Sequence, residues 1–183
     1  MSNTSFKAVR LASILYYCCA ASFILIPLVV ASIWFFGDAS FLESGEPAQY
    51  LVPLGVEVHG ALSLKMRLAG FAVSMLPNAL IMFGIWQLRS LFQCFRQLQF
   101  FTFDTTRHMK AFGLSVLLYA FAYPLAGGVL SLVLTVLKGE PGLVSITAGH
   151  HELMSLFVGA VMLAVASMMS EGKRISDEIE QFV

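Results

Sequence analysis

Four long stretches of this chain carry no charged side chain, and that feature constrains the fold more than any other. They run from Leu11 to Phe36, from Leu68 to about Leu88, from Ala111 to Leu137 and from Leu153 to Ser170. A bilayer core of roughly 30 Å is crossed by about 20 helical residues. Backbone N–H and C=O groups find no partner in lipid, so each stretch must satisfy its own and be a helix. The expectation is an all-α polytopic membrane protein. Its single membrane domain covers residues 1–183 and is built as a four-helix transmembrane bundle. Composition leads the same way: 58% of the 183 residues are hydrophobic and 12% are charged. A soluble domain carries about 25% charged residues. The formal net charge is zero, which gives no reason to expect nucleic acid as a partner.

The first stretch invites comparison with a secretory leader, because Lys7 and Arg10 precede it and Val29-Val30-Ala31 is a tolerable cleavage pattern. A leader's apolar region is only about 7 to 15 residues long, and this run is longer. An uncleaved first span is expected. Basic residues then set the orientation. With the N-terminus inside, Lys7, Arg10, Arg89, Arg96, Arg107, Lys110, Lys173 and Arg174 are all inside, and only Lys65, Arg67 and Lys138 are outside. Both termini are therefore expected in the cytoplasm, with the chain in the cell inner membrane. Trp34 and Trp86 fall near opposite ends of the first and second spans, as interface anchors do.

The outer loop of 30-odd residues, from Gly37 to Arg67, contains the extended-looking run from Tyr50 to Val58. Pro53 and Gly55 argue against a central strand there and leave a short hairpin or a cap over the bundle. The loop from Gly139 to about Gly149 is short and polar. On the inner side, Arg89 to Lys110 forms an amphipathic segment. Leu91, Phe95 and Leu98 share one helical face, with Gln93, Arg96 and Gln97 on the other. Thr102 or Asp104 can cap the third helix. The tail from Glu171 to Val183 reads as an extension of the fourth helix, with Lys173–Asp177 and Arg174–Glu178 at i,i+4 spacing. Its apolar stripe of Ile175, Ile179 and Phe182 suits the face of Leu91, Phe95 and Leu98. These six are the candidate partner-binding residues, and a membrane or cytosolic protein is the candidate partner. Arg89, Arg96, Arg107 and Lys110 can also meet anionic lipid headgroups.

The run Leu88-Arg89-x-Leu91-Phe92, then Phe101-Thr102, then Met109-Lys110-x-Phe112-Gly113, resembles a bacterial membrane-protein family known as domain of unknown function 2975. The ending Glu171-Gly172-Lys173-Arg174-Ile175-Ser176-Asp177-Glu178 is similar to that family's close, where a glycine precedes a short charged helix. The four-span layout matches as well. The resemblance implies an inner-membrane location and no assigned activity. It also implies kinship with proteins that look like partners of small helix-turn-helix regulators.

No stretch holds an ionisable side chain in its interior, whereas proton-coupled carriers and pumps usually do. Asn78 is the main polar side chain at depth. An interhelical hydrogen bond is its ordinary role, and lining a pore is the sharper alternative. Pro27, Pro77 and Pro124 each fall inside a span, where proline is common. An outward crevice is the functional alternative. Ser155, Gly159, Ala166 and Ser170 make a small-residue stripe on the fourth span that serves internal packing or, more sharply, a homodimer. Asn78, Gly159 and Ala166 are the candidate helix-packing residues. His59, His150, His151 and Glu152 have metal-ligand chemistry but no spacing that defines a site, so no metal and no cofactor is expected. The cysteines Cys18, Cys19 and Cys94 imply no disulfide framework. No Ser-His-Asp or Cys-His setting, phosphate loop or paired carboxylate at depth is present, so the chain is not expected to be an enzyme. The expected function is protein–protein contact in a regulatory or scaffold role at the inner face. A small transport or permeation component is the alternative.

Overall fold

The computed structural model describes residues 3–37, 52–53, 63–97, 102–139, 141–142, 144, 146 and 149–180. They contain four helices: α1 (Asn3–Phe36), α2 (Leu64–Arg96), α3 (Phe103–Lys138) and α4 (His150–Glu180). No strand occurs among the described residues. Each helix has a window long and apolar enough to cross a membrane, so this is an all-α, multi-pass membrane protein consistent with a four-helix bundle. The helices outrun the uncharged stretches. α2 begins at Leu64 and continues unbroken to Arg96, and α4 continues to Glu180. Hydropathy marks the length of chain in contact with lipid, whereas the hydrogen-bond ladder stops only where its end groups find other partners.

Those partners are visible at the starts of three helices. Ser63 Oγ accepts the Met66 N–H of α2 at 3.4 Å. Thr102 Oγ1 accepts the Thr105 N–H of α3 at 3.3 Å. Of the two residues expected to cap α3, Thr102 takes the position. Asp104 lies in the first turn, where a negative charge suits the helix dipole. At α4, Glu152 reaches back and accepts the Gly149 N–H at 2.6 Å, as in half of a capping box. Pro27, Pro77 and Pro124 all lie inside continuous helices.

The chain forms two compact units. The loop unit comprises residues 24–81 and 118–154, and the terminal unit comprises residues 1–23, 82–117 and 155–183.

The core of the loop unit gathers Val30, Ile33, Trp34, Val52, Met66, Leu130 and Leu134. Trp34 is wholly buried, and its indole N–H donates to Ser74 Oγ at 3.1 Å. This differs from the interface-anchor role expected of it. The reason lies on α2, where Gly70, Ser74 and Asn78 stand one turn apart. A Cβ on Gly70 would fall inside the Trp34 ring, so the missing side chain makes room for the indole. Asn78 is buried, and its side-chain amide donates to Ser74 O at 2.8 Å, one turn back on its own helix. Val52 of the long loop is buried in this core, and its carbonyl accepts the Tyr123 hydroxyl at 3.2 Å. Most of the run from Tyr50 to Val58, and His59, lie outside the described residues. Buried hydroxyls on α3 turn to their own helix: Ser131 donates to Gly128 O at 2.8 Å and Thr135 to Ser131 O at 2.9 Å.

In the terminal unit, α3 and α4 meet glycine against glycine. A Cβ on Gly159 would lie 3.0 Å from Gly113 O, and one on Gly113 would lie 3.2 Å from Gly159 O. Without side chains the two backbones approach directly, as small residues allow in lipid. Ala166, two turns along α4 from Gly159, is fully buried, whereas Ser170 is exposed.

Candidate functional site

Three helix ends of the terminal unit carry the chemistry worth weighing: the end of α2, the start of α3 and the end of α4. At the end of α2, Arg89 and Arg96 are seven residues apart and so share a face. Arg89 donates to Tyr16 Oη on α1 at 2.6 Å. Its guanidinium carbon lies 4.7 Å from the centre of the Tyr16 ring and 5.6 Å from that of Trp86. Arg96 also approaches the Tyr16 ring, at 5.2 Å. Trp86 leans on Phe23 with centroids 6.1 Å apart and stays about half exposed. Its position suits the anchor role that Trp34 does not fill.

At the start of α3, His108 Nδ1 lies 2.7 Å from Gln87 Oε1 of α2, a side-chain bridge between the two helices. Arg107 and Lys110 beside it are exposed. At the end of α4, Arg174 pairs with Glu171 at 2.6 Å and with Glu178 at 3.5 Å. All three are well exposed, so these pairs contribute little to stability.

The six residues expected to bind a partner fall in different settings. Leu91 is buried in the terminal unit, and Phe95 is half-buried with its ring 6.2 Å from Phe92. Ile175 is half exposed. Leu98 and Phe182 lie outside the described residues, as does the side chain of Ile179. On α4's first turn the His150 and His151 rings are 6.1 Å apart and nearly parallel. No group of three or more metal-ligating side chains occurs among the described residues.

Tyr16 escaped the sequence reading. The usable signal was present: two arginines a heptad apart at the end of one span, and a tyrosine pair, Tyr16-Tyr17, near the start of another. Each belongs to an interfacial belt by composition, but only folding shows that they meet.

The family model described as "Protein of unknown function (DUF2975)" matches residues 43–183, well over half of the chain. No curated protein and no solved structure matches it.

Proposed function

The chain belongs to the DUF2975 family of proteins of unknown function, and from that premise we propose that it acts by protein–protein contact at the inner face of the cell inner membrane. In this reading it has no catalytic activity, both termini are cytoplasmic, and its role is regulatory or that of a scaffold. One observation carries the proposal. α4 continues past its uncharged stretch, which ends at Ser170, to Glu180. That projection bears an exposed acid–base–acid ladder, Glu171, Arg174 and Glu178, beside the half-exposed Ile175. The ladder adds little to the fold, so a surface of this kind is better suited to recognising another chain. The eight-to-three division of basic residues supports the inward orientation.

The alternative, a transport or permeation component, calls for a polar path reaching Asn78. That residue is 2% exposed and its amide donates to its own helix at Ser74 O, which keeps it from lining an open path and favours the contact role.

Reporter fusions test the orientation: one after Val183 should read as cytoplasmic, and one near Glu46 as periplasmic. A photo-crosslinking residue at position 175 tests the contact. It should trap a discrete partner band that Phe157, a lipid-facing position on the same helix, does not give. Deleting the residues after Lys173 should leave four spans inserted and remove partner recovery. A truncated chain that still captures the partner and complements a deletion strain overturns the reading.

A further inference from the structure

We propose that Tyr16, Arg89 and Arg96 form a binding site for the phosphate of an anionic phospholipid, with Trp86 flanking the head of its acyl chains. The site does not depend on the partner that the end of α4 meets.

The first argument is electrostatic. Guanidinium carbons 4.7 Å and 5.2 Å from one ring centre lie within about 10 Å of each other. Two like charges are thus gathered at the edge of an apolar span, where low dielectric strengthens their repulsion. Among the described residues no carboxylate pairs with either arginine, and both described ion pairs belong to Arg174. Arg89 gives a hydrogen bond to Tyr16 Oη, which leaves most of its five N–H donors for another acceptor. A phosphodiester has the charge and the paired oxygens that planar guanidinium forks recognise, and one placed between the arginines converts repulsion into attraction. The Tyr16 ring holds both guanidiniums by cation–π attraction before any anion arrives.

The second argument identifies the source of the phosphate. The cluster stands within two turns of the start of the uncharged stretch of α1, at Leu11, and where that of α2 ends, at Leu88. Around it Leu11, Ile14 and Tyr17 of α1 and Phe83 and Trp86 of α2 are each at least half exposed. That surface is fit for acyl chains. A soluble phosphate needs the arginines but gains nothing from the apolar surface beside them, whereas a phospholipid uses both.

Trp86 supplies the probe. The chain has two tryptophans, and Trp34 is fully buried, so quenching by acyl chains reports Trp86. The full chain is reconstituted in phosphatidylcholine vesicles containing equal mole fractions of either brominated phosphatidylglycerol or brominated phosphatidylcholine. The expected result is a relative binding constant about thirtyfold higher for the anionic lipid, given roughly 1 kcal/mol for each of the two basic residues near such headgroups. Arg89→Gln with Arg96→Gln should bring the ratio close to one. Arg96→Gln alone removes an exposed side chain with little bearing on the fold, and should lower the ratio by roughly fivefold. Arg107→Gln with Lys110→Gln should leave it unchanged. Equal quenching by both lipids in the unsubstituted chain overturns the proposal, as does full selectivity in the Arg96 variant. Equal loss in the Arg107 and Lys110 variant would mean a diffuse surface charge instead of a site. Reversal by millimolar inorganic phosphate would make the ligand a soluble anion and overturn the lipid assignment.

Discussion

Each unit sets a tryptophan and an arginine at the end of an apolar span, and the two units use them in opposite ways. In the loop unit Trp34 is wholly buried against Gly70 and Ser74. Arg67, from the start of α2, donates to the carbonyls of Trp34 and Phe35 at 3.0 Å and 2.5 Å. α1 has no basic residue in its own last turn, so the neighbouring helix supplies the cation that the negative end of its dipole favours. Charge, carbonyls and indole are all matched within the protein. In the terminal unit Trp86 stays half exposed and Arg89 rests on rings and one hydroxyl. Arginine at a membrane edge can therefore be satisfied by a helix end or left open toward an anion outside the chain. Composition does not distinguish the two cases, because the residues are the same.

The sharpest way to break this contrast is Trp34→Ala. A fully buried tryptophan lost from a closed core should destabilise the protein by about 4 kcal/mol, read as a lower midpoint of thermal unfolding in detergent. The matching Trp86→Ala change should be much milder in the same experiment. Next is Gly70→Ala, which pushes a methyl group into the indole and should cost about 2 to 3 kcal/mol. Combined with Trp34→Ala its effect should nearly vanish, since the clash then has no ring to meet. Additive effects would show that Gly70 acts through something other than Trp34.

Arg67→Met tests the helix-end half of the comparison. It removes two charge-assisted hydrogen bonds and should destabilise by about 2 kcal/mol, against about 1 kcal/mol for Arg89→Met. Equal losses would erase the distinction between a satisfied and an open arginine. A smaller effect belongs to Thr102→Ala, where loss of the α3 cap should lower stability by about 1 kcal/mol. Arg174→Ala should have the smallest effect on stability, a few tenths of a kcal/mol, because both of its ion pairs are exposed. A loss of more than about 1 kcal/mol there would mean that the end of α4 is part of the fold, and would weaken the case for it as a contact surface.

The sequence by itself determined the four spans and narrowed the α3 cap to Thr102 or Asp104. Both are local properties: a segment in lipid must close its own hydrogen bonds, and a cap lies within three residues of its acceptor. It also named Gly159 as a packing candidate, but not that Gly113 would face it. Tertiary structure alone decided that Trp34 turns inward while Trp86 does not. It alone brought Ser74 to an indole 40 residues away and Tyr16 to an arginine 73 residues away. The physical reason lies in the solvent. In water an apolar stripe reveals the buried face of a helix, because the opposite face is polar. In a bilayer the face toward lipid and the face toward a neighbouring helix are both apolar, so periodicity is nearly silent about which residues pack. The choice is then made by shape, such as the space left at Gly70, and by hydrogen bonds that exist only after the helices have met.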